Sequence, residues 1–143
     1  MKQMIERPYL LDLPSKQSTD GWITFAELGA LIQMPIKRIF WIKDVPKGAK
    51  RGVHAHTNEN QLLVCLAGSV HVSMELLDGT HTLYCLNSAD QALYLPAFAW
   101  SELTFQADAV LLVLSDQVFD EDNYIREKSK FKELQQNYEA GEL

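Results

Sequence analysis

Two histidines separated by one residue, His54 and His56, lie in the segment RGVHAHTNENQLLVCLAGSV, residues 51–70. If this segment is a β-strand, both side chains point to the same face, about 6.6 Å apart along the backbone, and both imidazoles reach one ligand. Such a pair either contributes to a metal site or transfers protons by itself, because imidazole titrates near neutral pH. The structural alternative is that both rings hydrogen-bond within the mouth of a barrel.

Arg51 and Gln61 flank this pair and favour a functional role, because they are polar within an otherwise apolar sheet. The stretch from Lys37 to Arg51 contains six cations and one anion, although the whole chain has a net charge of −6. These cations indicate either a solvated surface or local attraction of a small anionic ligand. The acidic net charge argues against nucleic acid as the main partner.

Length and composition predict one soluble globular domain, since the 143 residues are 47% hydrophobic and 22% charged. The N-terminal residues lack the apolar run of a secretory signal, and no segment approaches the ~18 apolar residues needed to span a bilayer. We therefore expect no membrane segment and a cytoplasmic location. Cys65 and Cys85 lie in apolar stretches, which predicts buried reduced thiols.

Short apolar runs that end at turn residues predict an all-β sandwich or barrel. The pair Asp78-Gly79 predicts a β-hairpin between two of these runs. Before it, side chains alternate between the two faces of a strand, so that His71 points away from the core. The residues predicted to share the opposite face are Val70, Val72, Met74 and Leu76.

The two ends of the chain differ from this pattern. The segment TDGWITFAELGALI predicts either a strand followed by a short helical turn or an irregular arm. After Asp120, acidic residues in a possible first turn and apolar Phe131, Leu134 and Tyr138 predict a helix. We therefore divide the single domain into an N-terminal arm (1–33), a β-barrel core (34–118) and a C-terminal helical tail (119–143).

The stretch from Gly52 to Gly68 resembles the first conserved motif of the cupin superfamily, which implies a jelly-roll barrel. Metal-binding cupins add a glutamate after the histidine pair and a third histidine from a second motif. Here those positions hold Gln61 and Ser101. Two histidines without a carboxylate make a poor site for Fe, Mn or Zn, so we expect neither a metal nor another cofactor.

The chain is more closely similar to one group of cupins, the WxcM-like nucleotide-sugar 3,4-ketoisomerases. The resemblance covers roughly residues 34–131, and RG-x-HAH followed by glutamine, together with D-x-D-x-YIR, is its most specific part. It implies a metal-free homodimeric isomerase of deoxysugar biosynthesis that binds a dTDP-linked keto-deoxysugar. In this reaction a ketone moves from C4 to C3 through an enediol, as one proton leaves C3 and another is delivered to C4.

The same resemblance implies roles for particular residues. His54 and His56 would be the catalytic pair, with the division of labour between them left open. Arg51 would stabilise enediolate or phosphate charge, because its planar fork suits oxyanions. Gln61 would orient the sugar or a histidine tautomer, and Arg38 would border the site or bind the phosphates.

Two aromatic residues depart from the family, whose members usually carry tyrosines where this chain has Phe40 and Trp41. Trp41 is a candidate substrate contact that would stack on a base or sugar, with core packing as the alternative. Without those tyrosines, other functions stay open. They are a cupin-type epimerase that would use Tyr84 or Tyr94 as its acid, a non-catalytic sugar-nucleotide-binding module, and a metal-dependent oxygenase.

Overall fold

The structure, a computed structural model, describes residues 4–29 and 32–143. Within them twelve strands are followed by a helix α1 (Lys128–Ala140), and a 3₁₀ turn (Glu121–Asn123) precedes the last strand. The strands, numbered in chain order, are β1 (Tyr9–Asp12), β2 (Ser15–Ser18), β3 (Gly21–Thr24), β4 (Arg38–Ile42), β5 (Lys50–His56), β6 (Gln61–Ala67), β7 (Val70–Glu75), β8 (His81–Leu86), β9 (Gln91–Leu95), β10 (Trp100–Phe105), β11 (Val110–Ser115) and β12 (Tyr124–Ile125).

Two five-stranded sheets with antiparallel pairing form the barrel. The first has the strand order β1-β9-β6-β11-β4 and the second the order β12-β5-β10-β7-β8. Strands β2 and β3 form a separate hairpin. The predicted all-β jelly-roll with a short C-terminal helix is therefore confirmed.

The main core lies between the two sheets and follows the predicted alternation. Val70, Val72, Met74 and Leu76 are buried, while His71 between them is exposed. They pack with inward side chains of the other sheet, such as Leu63 and Leu111. Burial of each such side chain contributes roughly 1.5–3 kcal/mol to folding.

The predicted hairpin at Asp78-Gly79 is confirmed. Strands β7 and β8 pair in antiparallel register from Val70↔Leu86 to Glu75↔His81. The amide of Gly79 donates to the carbonyl of Leu76 at 3.0 Å, and Gly79 has a φ of 81° that a residue without Cβ adopts readily.

The N-terminal arm covers the outer face of the first sheet. Strand β1 pairs with β9, so the sheets extend beyond the predicted core of 34–118. Leu11 and Leu13 pack against buried Leu62 and Val64 on this face. Of the two predictions for TDGWITFAELGALI, a strand is present as β3, and the described residues 25–29 contain no helical turn; residues 30 and 31 lie outside the described part.

Helix α1 covers the outer face of the second sheet. Phe131 is fully buried against Trp100 and Ala55, and Leu134 and Tyr138 pack beside it, as the spacing predicted. The acidic residues expected in the first turn of this helix lie instead in the 3₁₀ turn, because β12 intervenes. Asp120 caps that turn by accepting a hydrogen bond from the Asp122 amide at 3.0 Å.

The two cysteines are both free, but only Cys65 is buried. Cys85 is exposed, contrary to the prediction, because it lies on the outward face of the edge strand β8 together with His81 and Leu83. An apolar stretch therefore did not guarantee burial at the edge of a sheet. No helix among the described residues is long and apolar enough to cross a membrane.

Candidate active site

A cavity of about 470 Å³ opens between the two sheets beside the histidine pair. His54 and Arg51 reach it from β5, and Phe40 and Gln61 reach it from the opposite sheet. Ser101, the residue at the expected third-histidine position, also lines the cavity and pairs with His54 across β5 and β10. The structure thus brings together four of the predicted site residues, His54, His56, Arg51 and Gln61, with His56 directly behind His54.

A β-bulge places Arg51 on the same side as His54. Three positions separate these residues, so a regular strand would point them to opposite faces. The register with β10 shifts between Ser101↔His54 and Leu103↔Arg51, where one extra residue of β5 is accommodated. Gly52 in this bulge has a left-handed φ of 63°, which a residue without Cβ adopts at little cost.

The two imidazoles are in direct contact. Their Nε2 atoms lie 3.1 Å apart, and the rings meet edge to face with centroids 4.7 Å apart. His54 is half-buried and borders the cavity, whereas His56 is only 2% exposed. The prediction that both rings share one side of β5 is confirmed, and the structure adds that they differ in access to the cavity.

Glu59 lies on the other side of His56. Its Oε2 atom is 2.7 Å from Nδ1 of His56, and its side chain is 1% exposed. Its Oε1 atom accepts hydrogen bonds from the Arg38 guanidinium and the Ser115 hydroxyl. Burial alone raises the pKa of Glu59, but the interactions with His56, Ser115 and Arg38 outweigh it, so the pKa lies below its usual 4.5. The carboxylate is therefore ionised at neutral pH.

Tyr124 and Arg126 complete the site from the end of the chain. The Tyr124 ring lies 4.4 Å from the ring of His56 and 4.9 Å from that of His54. Arg126 lies over the Tyr124 ring at 4.5 Å and donates two hydrogen bonds to Glu121. Both residues border the cavity, so the site holds a phenol and a second guanidinium.

The pKa of His54 is lowered from 6.5 to about 4. Burial is the main cause, followed by the nearby His56 and Arg126. Because the charged form is disfavoured, His54 is a neutral imidazole at physiological pH and is able to accept a proton. A neutral ring next to a ligand cavity suits the proton-transfer chemistry that the sequence predicted.

Two predicted substrate contacts, Trp41 and Arg38, do not line the cavity itself. Trp41 is 62% exposed on the face of β4 opposite to Phe40, so the structure places it outside the histidine cavity. Arg38 is bonded to Glu59 and lies over the Phe40 ring at 5.0 Å, which makes it part of the wall behind the histidines. Tyr84 and Tyr94 do not border the cavity either.

Sequence reasoning missed Glu59, Tyr124 and Arg126. For Glu59 a signal was present, since an acidic residue three positions after His56 returns to it around a tight turn. For Tyr124 and Arg126 the motif YIR was noted without a role. The positions of Tyr124 and Arg126 depend on β12, which pairs Tyr124 with His56 although the two residues are 68 positions apart in the chain.

Among the described residues, no group of three or more His, Cys, Asp and Glu side chains is arranged to hold a metal ion.

Two antiparallel sheets around a cavity with a histidine pair define a cupin-type jelly-roll protein. Residues 6–136 match the WxcM-like, C-terminal family (FdtA). The chain therefore belongs to this family. Its similarity to named 3,4-ketoisomerases over most of its length also makes it an isomerase.

Relatives with assigned activities cover most of the chain. The TDP-4-oxo-6-deoxy-α-D-glucose-3,4-oxoisomerase of Aneurinibacillus thermoaerophilus is 37% identical over 115 residues, which are 78% of this chain and 81% of the relative. The sugar 3,4-ketoisomerase QdtA of Thermoanaerobacterium thermosaccharolyticum, solved in complex with TDP, superposes with a TM-score of 0.86 at 30% identity, covering 94% and 98% of the two chains. The TDP-fucose-3,4-ketoisomerase WlaRA of Campylobacter jejuni superposes with a TM-score of 0.84 at 28% identity, covering 92% of this chain and 98% of the neighbour.

Proposed function

We propose that this protein moves a keto group between C4 and C3 of a dTDP-4-keto-6-deoxyhexose through an enediol. The observation that carries the proposal is the contact of two imidazoles, 3.1 Å between Nε2 atoms, at the wall of a cavity of ligand size. The similarity to TDP-sugar 3,4-ketoisomerases supports the substrate class. The substrate would bind in the cavity between the sheets, with its hexose beside His54.

The chemistry requires two proton movements and no change in oxidation state overall. One proton leaves C3 and one is delivered to C4, while a proton moves from the C3 oxygen to the C4 oxygen. Two imidazoles in contact fit this demand, since the ring at the cavity exchanges protons with the substrate while its neighbour takes up or returns a proton behind it. Neutral His54 borders the cavity as an acceptor, and His56 exchanges a proton with it across the 3.1 Å contact.

Cationic and polar side chains around the cavity would bind the rest of the substrate. Arg51 and Arg126 supply guanidinium groups that suit the enediolate oxygen and the diphosphate. Gln61 faces the cavity from the opposite sheet, where it would orient the hexose. We propose no metal and no organic cofactor in this reaction, because Gln61 and Ser101 replace the carboxylate and imidazole ligands of metal-binding cupins.

Proton exchange with solvent tests the proposal. The protein is incubated with dTDP-4-keto-6-deoxyglucose in D₂O, and the sugar is followed by NMR. Wild-type protein should give a 3-keto product and incorporate deuterium at C4, and His54→Asn and His56→Asn should each slow this by about 10²-fold or more. His71→Asn is the matched control, since His71 is an exposed histidine on β7, and it should keep full activity.

Other results would assign other functions. Epimerised product without carbonyl migration would favour a cupin-type epimerase, for which Tyr124 is the tyrosine in contact with both histidines. Binding of the dTDP-sugar with neither a 3-keto product nor deuterium incorporation would indicate a non-catalytic binding module. Either outcome with active-site histidines intact would rule out the ketoisomerase proposal.

We also propose that the protein is a homodimer. Large apolar side chains are exposed on the hairpin β2–β3 and on the edge strand β4; they are Trp22, Ile23, Ile39 and Trp41. Their exposure in a single chain supports burial against a second copy. Light scattering coupled to size exclusion should give twice the 16.3 kDa of one chain, and a mass of one chain at micromolar concentration would contradict the proposal.

A further inference from the structure

We propose that Glu59 is a positioning residue of the active site, whose buried carboxylate keeps the proton of His56 on Nδ1 and leaves Nε2 free to exchange a proton with His54. For its effect on catalysis this inference rests on the proposed function. Its structural content, the tautomer of His56, is measurable without any substrate.

The contacts of Glu59 are unusual for a surface loop residue. The carboxylate follows β5 by three residues, yet it is 1% exposed and each of its oxygens lies beside a polar or charged side chain. Oε2 lies 2.7 Å from Nδ1 of His56, while Oε1 accepts from Arg38 and from the Ser115 hydroxyl at the end of β11. A buried charge persists only where partners compensate for lost hydration. Here one of those partners is a histidine of the site.

This arrangement determines which nitrogen of His56 carries the proton. An ionised carboxylate only accepts hydrogen bonds, so the nitrogen beside it must be the protonated one. Nε2 of His56 then has its lone pair towards Nε2 of His54, 3.1 Å away. His54 is accordingly the donor in that contact when both rings are neutral.

The same carboxylate is the counter-charge for a proton that passes through the histidine pair. When Nε2 of His56 accepts a proton, the ring becomes an imidazolium between Glu59 and His54, and the charge is balanced by the ionised carboxylate. The proton returns by the same route, and Glu59 stays ionised throughout. Burial disfavours charge on His54, and the cation of Arg126 adds to this effect. His56, in contrast, lies directly beside the Glu59 carboxylate.

The charge-neutral variant Glu59→Gln tests the proposal. A glutamine amide has nearly the same shape but presents an N–H donor, so it allows the opposite tautomer of His56. In ¹⁵N-edited spectra of histidine-labelled protein at pH 7.5, wild type should show His56 protonated at Nδ1, and the variant should lose that assignment. The kcat for isomerisation should fall by about 10²-fold or more, as expected when a catalytic imidazole loses its orienting carboxylate, with KM little changed.

Two controls separate positioning from folding. Glu75→Gln removes another partly buried carboxylate, which holds α1 through Lys128 and Gln135, and should lower the melting temperature with kcat unchanged. Ser115→Ala removes one hydrogen bond to Glu59 but keeps its charge, so His56 should keep its proton on Nδ1 in this variant. This variant tests the inference on its own if Glu59→Gln fails to fold.

The outcomes are distinct. Wild-type His56 protonated at Nε2, or a folded Glu59→Gln protein with unchanged kcat, would overturn the inference. A loss of kcat in Glu59→Gln with the wild-type tautomer retained would also overturn it, because the effect would then be structural. If wild type shows the Nδ1–H tautomer but no isomerase activity, the proposed function fails while the geometry assigned to Glu59 stands.

Discussion

Gly52 and Leu103 approach so closely across strands β5 and β10 that a methyl group on Gly52 would lie 2.9 Å from Cδ1 of Leu103. The same methyl group would lie 3.9 Å from Cε1 of His54. Gly52 is also the left-handed residue of the bulge that turns Arg51 towards the cavity. One backbone position therefore turns a cation towards the cavity and lies against both an apolar wall residue and the proposed catalytic histidine, His54.

Gly52→Ala should impair both stability and catalysis. An alanine in the left-handed region costs about 1–2 kcal/mol, and relief of the contact would move Leu103 or flatten the bulge. We expect a lower melting temperature and a fall in kcat/KM of about 10-fold or more. Gly79→Ala is the matched control, since Gly79 has a φ of 81° with no atom within 4 Å of the added Cβ. It should lose comparable stability and keep its activity; equal kcat/KM in the two variants would contradict this role of Gly52.

The stability of the protein should depend on pH through His54. Because the pKa of His54 falls from 6.5 to about 4 on folding, the unfolded chain binds a proton between these values that the folded protein does not. The free energy of unfolding should therefore fall as the pH is lowered from 6.5 to 4. Urea denaturation at several pH values should show that the free energy of unfolding depends less steeply on pH in His54→Asn than in wild type. Parallel plots of this free energy against pH would contradict the assigned pKa.

Catalysis should persist to lower pH than an ordinary histidine would allow. The acid limb of kcat/KM reports the pKa of the essential base in the free enzyme. If His54 is that base, activity should be retained at pH 5.5 and decline only as the pH approaches about 4. A half-maximal point near 6.5 would instead assign the limb to a group with an unshifted imidazole pKa.

Chelation should leave the activity unchanged. Gln61 and Ser101 occupy the positions where metal-binding cupins supply a carboxylate and a third imidazole, and neither is a strong ligand for a divalent transition metal. Protein dialysed against EDTA should retain its kcat, as measured beside elemental analysis of protein purified without chelator. The double variant Gln61→Glu/Ser101→His is a positive control that should bind Zn²⁺ more tightly than wild type. Stoichiometric metal in wild type, with activity lost on its removal, would contradict the prediction.

The two aromatic residues of β4 should differ in their effect on substrate binding. Phe40 borders the cavity and Trp41 lies on the opposite face. Phe40→Leu should raise KM several-fold, since an aromatic contact contributes about 0.5–1.5 kcal/mol. Trp41→Leu should leave KM unchanged, with light scattering used to verify that both variants keep the wild-type oligomeric state. A higher KM in Trp41→Leu at unchanged oligomeric state would indicate that Trp41 does contact the substrate.

Local sequence was sufficient to predict those features that depend on short-range interactions. The period of two in β7 put Val70 and Val72 inside and His71 outside, because successive side chains of a strand always alternate. Asp78-Gly79 marked the hairpin because the turn itself demands a left-handed residue. The spacing of His54 and His56 placed both rings on one face for the same reason.

Tertiary structure decided everything that depends on which strands pair and which face becomes the interior. The run IFWI in β4 is apolar on both faces, so only its register with β11, Phe40↔Val113 and Trp41↔Leu112, determined that Phe40 meets the cavity. Tyr124 reaches the histidines because β12 pairs with β5, and Glu59 is ionised because the fold brings Arg38, Ser115 and His56 around it. Sequence fixes the order of side chains along a strand, whereas the neighbours that set their burial, charge and reactivity come from distant segments that meet only on folding.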